Sequence, residues 1–135
     1  MKRQTSGALL LMILMMSSSM LYAAEPKFSI IPASDSITAF LLPSNFTETV
    51  SYQVTNQTKI TRTLTMVPIT GVSQTVSGSG VCSNPFTLAN QESCTLTLVI
   101  NASQVPSTGI NGGPVVCKTK GVNDFTPDPF LCSQP

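Results

Sequence analysis

The chain is 135 residues long, the size of one domain, with 41 % hydrophobic and 10 % charged residues, no His and no Trp. Its formal charge is +1, but Lys2 and Arg3 supply two of the seven basic residues, so the chain from Glu25 onward comes to about −1. That balance argues against a basic field for nucleic acid or an anionic membrane, and the lack of His excludes Ser-His-Asp and Cys-His nucleophile arrangements.

Residues Met1 to Ala24 read as a signal peptide. Lys2 and Arg3 form a charged start, and Ala8–Met16 is an apolar run too short to span a bilayer. Ser17–Ser19 and Leu21-Tyr22-Ala23-Ala24 then supply a polar break and small residues for cleavage after Ala23 or Ala24. The competing reading is an uncleaved anchor. No Cys stands at the cut to accept a lipid. The expectation is a signal peptide over 1–24, one domain over 25–135, and a protein that is periplasmic, secreted or at the cell surface, with no membrane contact after cleavage.

Lys27–Pro32 and Ser36–Leu42 together look like a first strand, kinked at Pro32-Ala33-Ser34-Asp35, because proline is tolerated at sheet edges and bends. After a turn at Pro43-Ser44-Asn45, Thr47–Thr55 alternates with Val50, Tyr52 and Val54 on one face. Asn56-Gln57-Thr58-Lys59 turns the chain, and Ile60–Ile69 supplies a strand with Leu64 and Met66 inward, so the pair is expected to form a hairpin. Gly71–Gly80 is Ser/Gly-rich and reads as a weak strand or a loop.

The strongest pattern lies between Val81 and Asn101. Phe86 and Leu88 end a short segment, Leu88–Glu92 is a polar turn, and the run from Ser93 alternates with Cys94, Leu96, Leu98 and Ile100 on one face. Thr95, Thr97, Val99 and Asn101 fall on the other. Ser103–Gly113 reads as a long loop, Pro114–Thr119 as a strand containing Cys117, and Gly121–Pro135 as a tail with little regular structure. Only Phe130-Leu131-Cys132 is available there for a closing strand. The last strand is therefore expected to be short and tethered by Cys132, or missing because the chain is a fragment of a longer protein; the alternative is completion by a donor strand as in pilus-like assembly subunits.

Four cysteines in an exported chain make two disulfides most simply, and three pairings are open. Nearest neighbours, Cys82 with Cys94 and Cys117 with Cys132, are preferred. If the Cys82 and Cys94 segments approach across the sandwich, that bridge is worth roughly 2–3 kcal/mol by loop entropy. Intervening lengths of 11, 22 and 14 residues and the lack of His do not fit a zinc site.

Cys82, Phe86, Leu88, Ser93, Cys94, Thr95, Leu96, Thr97, Leu98 and Ile100 form a pattern that resembles the late strands of bacterial immunoglobulin-like domains, the group similar to ASPM–SPD-2–Hydin (major-sperm-protein-like) sandwiches. Such domains usually carry a glycine in the turn before the Ser-Cys, where this chain has Asn90-Gln91-Glu92. Ser51-Tyr52-Gln53-Val54-Thr55-Asn56 is a second similarity, near the domain's start. The resemblance implies an all-β, immunoglobulin-like antiparallel sandwich of about seven strands. It says little of function, because such sandwiches host many roles.

The acids Asp35, Glu48, Glu92, Asp124 and Asp128 are scattered beside turns, and Gly71, Gly78 and Gly80 are spaced as loop glycines, so no catalytic, cofactor or metal site is expected. Asn-x-Ser/Thr triplets at Asn45, Asn56 and Asn101 are what a Ser/Thr-rich chain carries by chance. The expected role is a non-catalytic structural or adhesive module that meets a protein or glycan. Lys118-Thr119-Lys120 and Ser103–Gly113 are its candidate surfaces. The rivals are the assembly subunit and a secreted hydrolase or inhibitor.

Overall fold

The structure, a computed structural model, describes residues 27–33 and 43–135. The expected signal peptide at 1–24 and the Ser36–Leu42 segment lie outside the described residues. In chain order the elements are β1 (Phe28–Pro32), β2 (Thr47–Asn56), β3 (Arg62–Met66), β4 (Val72–Thr75), β5 (Phe86–Leu88), β6 (Ser93–Asn101), a 3-10 turn (Ala102–Gln104), β7 (Val116–Thr119) and β8 (Pro127–Ser133). The strands make two four-stranded antiparallel sheets, ordered β1-β2-β6-β4 and β5-β3-β7-β8.

The long central pair is β2 with β6, running from Thr47 opposite Asn101 to Thr55 opposite Ser93. Both strands alternate with period 2, so the register places Val50 beside Leu98 and Val54 beside Cys94 on one face. Those residues meet Leu64, Met66, Phe86, Leu88 and Val116 of the other sheet in the core, with Phe28 and Ile30 closing the β1 edge. The outer face of the first sheet carries hydroxyls: Thr55 and Ser93 share a hydrogen bond of 2.7 Å.

The expected β2–β3 hairpin does not form. β2 pairs only with β1 and β6, while β3 pairs with β5 and β7, so residues 57–61 carry the chain from one sheet to the other. Asn56 fixes this crossover. Its side chain is fully buried, and its amide donates to the carbonyls of Ile60 and Leu88, each at 2.9 Å. Its Oδ1 accepts from the backbone N–H of Thr58 at 2.9 Å and the Thr58 hydroxyl at 2.6 Å. A short polar linker is compatible with hairpin or arch; the amide that ties the end of β2 to the end of β5 decides for the arch.

The tail is also more ordered than expected. β8 is a seven-residue strand paired with β7, so the closing strand is neither short nor missing, and the described strands number eight where about seven were expected. Its alternation is hidden by an excursion: between the pairs Cys117–Cys132 and Thr119–Pro127, Lys118 alone faces residues 128–131. Ser133 then returns to the core edge, where its hydroxyl accepts the Phe28 N–H at 3.1 Å and joins the last strand to the first.

Within 71–80 a strand forms at Val72–Thr75 and the rest is loop. Gly71, at φ +81°, sits where an added Cβ would lie 2.8 Å from Val105 atoms, so only glycine lets the β3–β4 turn pack on the 3-10 turn.

Both disulfides are intrachain and join neighbouring cysteines, Cys82 to Cys94 and Cys117 to Cys132. Neither crosses between the sheets as the approach "across the sandwich" would require. The Cys82 N–H donates to the Thr95 carbonyl at 2.9 Å, so residues 80–82 lie along β6 itself, and Cys117 and Cys132 are register partners in β7 and β8. Cys82 belongs to the core, whereas Cys132 is exposed.

Candidate interaction surface

The antiparallel registers set two ends of the sandwich. At one end lie the start of β1, the β2–β3 crossover, the β5–β6 turn and the β7–β8 turn; at the other lie the β3–β4 turn, the β6–β7 loop and the residues after β8. Four of the five basic residues from Glu25 onward stand at the first end, Lys27, Lys59, Arg62 and Lys120, while Lys118 lies opposite Leu64 at the middle of β3. Glu92, Asp124 and Asp128 share that end, and Glu48, at the start of β2, is at the other. The basic residues therefore gather toward one end, where three of the four described acids stand among them.

The β7–β8 hairpin is the most exposed apolar part of this end. Val122 is 91 %, Phe130 90 % and Phe125 53 % solvent-accessible. Each is held by local chemistry. The Lys120 N–H donates to Thr126 O at 3.0 Å and the Gly121 N–H to Asp124 O at 3.2 Å, which closes the turn carrying Val122. Asp124 Oδ1 accepts the Thr126 N–H at 3.1 Å and the Thr126 hydroxyl at 2.6 Å beside Phe125. Asp128 Oδ1 accepts the Phe130 N–H at 3.1 Å, and with Pro129 between them this Asx turn pushes Phe130 out of the β8 line. The Cys117–Cys132 bridge holds the base of the excursion.

The carboxylates of this end serve their own turns. The Thr126 hydroxyl first, then its N–H, hold Asp124 below the usual carboxylate range, and Glu92 accepts the Ala89 N–H at 2.7 Å. Lys118 is partly buried, its ammonium donating to Thr119 O at 2.9 Å. Among the described residues no group of three or more His, Cys, Asp or Glu stands close enough to hold a metal ion.

At the other end the β6–β7 loop borders an open, mixed cleft of ≈ 280 Å³ lined by Ile69, Pro106, Ile110 and Val115 together with the polar Thr70, Asn111 and Gln134. A narrower recess continues from Ile69 and Ile110 inward to Tyr52, Val72 and Ile100. Burial raises the Tyr52 phenol above its ordinary pKa.

Of the surfaces expected from sequence, Lys118–Lys120 and Ser103–Gly113 thus lie at opposite ends and do not form one site. Sequence reasoning missed Phe125 and Phe130. A Phe is ordinarily assigned to a core, and the sign that these face outward is that both stand among Asp and Pro in a stretch without period-2 alternation. Of the three Asn-x-Ser/Thr triplets, Asn56 is buried and fully hydrogen bonded, and Asn101 Oδ1 accepts from Ser103 at the start of the 3-10 turn. The chain matches no protein-family model, no curated protein and no solved structure.

Proposed function

We propose that this protein is an exported, non-catalytic immunoglobulin-like interaction module that meets a protein or glycan partner through its β7–β8 hairpin. The carrying observation is the stapled hairpin that holds Val122, Phe125 and Phe130 in water. Exposed aromatic side chains cost solvation unless they are covered, and rings held rigid before contact lose little entropy on binding. Two disulfides in so short a chain support an oxidising compartment. The strand order supports the immunoglobulin-like reading: β1-β2-β6-β4 follows the A-B-E-D order of those sandwiches, and β3-β7-β8 the C-F-G order. On that correspondence the hairpin occupies the F–G position, where variable domains carry a binding loop.

The test is binding of the oxidised protein to glycan and protein arrays, beside a Phe125→Ser/Phe130→Ser double variant. The reading expects a ligand whose signal falls at least about tenfold in the variant, as loss of interface anchors does, with an unchanged melt. Binding indifferent to both rings would overturn the hairpin assignment. Turnover of an ester, peptide or glycoside that disappears on one Asp or Glu substitution would overturn the non-catalytic one.

A further inference from the structure

Solvent reaches the two disulfides differently. Cys82 belongs to the core cluster, and its half-buried partner Cys94 packs against it. Cys117 is 0 % accessible in β7, but its partner Cys132 is exposed and takes no part in that cluster. Exchange needs an attacking thiolate to reach one sulfur of the pair, and at this bridge only the Cys132 side is open to it. A buried thiolate is a poor leaving group, which slows the step and favours reclosure. Attack on Cys117, however, would need the strand to open first, so access decides for Cys132. The surroundings also suit the opened state. Asp128 O stands 3.1 Å from Cys132 Sγ; the bridged sulfur has no hydrogen to give, whereas the thiol donates to that carbonyl. The ladder on either side of the bridge has its own bonds. Val116 pairs with Ser133 and Thr119 with Pro127, the Lys120 N–H donates to Thr126 O at 3.0 Å, and Ser133 Oγ accepts the Phe28 N–H at 3.1 Å. What the bridge fixes is the base of the excursion Asp128–Leu131, which carries Phe130.

We propose that Cys132 is a thiol–disulfide exchange site for a low-molecular-mass thiol, and that opening its bridge frees the Phe130 excursion while the sandwich stays folded. The incoming thiolate attacks Cys132 Sγ, a new S–S bond forms between them, and the Cys117–Cys132 bond breaks. Cys117 leaves as a thiolate and takes up the proton that the incoming thiol released. A second thiolate attacks the reagent's sulfur on Cys132, the reagent departs as its own disulfide, and Cys132 takes the second proton. Two thiols are oxidised and one protein disulfide is reduced. The stiffness of the hairpin thereby follows the ratio of thiol to disulfide outside the protein. The bearing of this on recognition rests on the reading of the β7–β8 hairpin as an interaction surface; the exchange itself does not.

The test treats the folded, oxidised protein with reduced glutathione, quenches with acid and maps each cysteine by mass spectrometry. The expected result is opening of Cys117–Cys132 with Cys82–Cys94 still closed, and any trapped glutathione on Cys132. The opened protein should melt in one cooperative transition, and hydrogen exchange should show protection lost over 128–131 and kept in β2 and β6. With oxidised glutathione, Cys117→Ala should take up one glutathione on Cys132, and Cys132→Ala none on Cys117. Where either variant melts early, the wild-type map decides alone. Glutathione on Cys117, opening of Cys82–Cys94 first, reaction only after unfolding, or unchanged protection over 128–131 each overturn the proposal. None of these readouts needs a ligand, so their failure leaves the binding role of the hairpin standing, and an array without hits leaves the exchange site standing.

Discussion

Asn56 uses both amide hydrogens and both lone pairs, and its four bonds reach the crossover and the far sheet. Asn56→Ala leaves the Leu88 carbonyl buried without its partner, and the expected loss is about 2–4 kcal/mol in urea unfolding. A loss below about 0.5 kcal/mol would show that the amide does not hold the arch. Gln91 is the opposite case: at φ 61° it is the described non-glycine residue in the left-handed region, in the β5–β6 turn. Its N–H donates to Asn56 O at 2.8 Å, which fixes the turn despite the unfavourable backbone. Gln91→Gly relieves about 1–2 kcal/mol of left-handed cost and returns part of it as unfolded-chain entropy. The net expectation is a stabilisation of about 0.5–1 kcal/mol in the same assay. Tyr52 predicts a pH response. Its raised pKa means the folded state holds the proton more tightly, so its contribution is complete below the unfolded value of about 10 and is lost as pH rises through the folded value. Melts of Tyr52→Phe should lack that part of the alkaline decline.

Among elements, legibility followed the regularity of the chain's contact with the core. β6 alternates over all nine residues, because one face meets the core and the other does not, and its inward set was readable from Cys94 to Ile100. β8 was unreadable as a strand because Asp128–Leu131 leaves the ladder to bulge around Lys118, and the alternation leaves with it. β2 and β3 were each legible, but their partnership was not, since the arch depends on an Asn56 side chain whose bonds form only when both sheets are present. The two disulfides differ in the same physical way. Each bridge joins a buried cysteine, Cys82 or Cys117, to a more accessible one, which is half-buried at Cys94 and exposed at Cys132. Limited reduction of the folded protein should open Cys117–Cys132 first, read by alkylation and mass spectrometry. Prior loss of Cys82–Cys94 would contradict the placement of that bridge in the core. Each bridge closes a loop of similar length, separated by 12 and 15 residues, so each is worth about 3 kcal/mol to the unfolded-state entropy.

Over the whole molecule, the residues that hold the fold and the exposed apolar residues of the β7–β8 hairpin are separate sets. The core runs from Phe28 to Val116 across both sheets, and Val122, Phe125 and Phe130 take no part in it. Net charge did not foretell this surface, because topology brings Lys27, Lys59, Arg62 and Lys120 to one end together with Glu92, Asp124 and Asp128. The claim that the hairpin rings serve binding and not stability is tested most directly by one thermal melt of Phe125→Ser/Phe130→Ser beside the parent. Surface changes are worth within about 0.5 kcal/mol each, and 1 kcal/mol moves a domain of this size by about 4–8 °C. The account predicts a single cooperative transition within about 8 °C of the parent. A fall of more than about 15 °C, the scale expected when a buried side chain such as Leu64 is truncated, would place those rings in the core and contradict it.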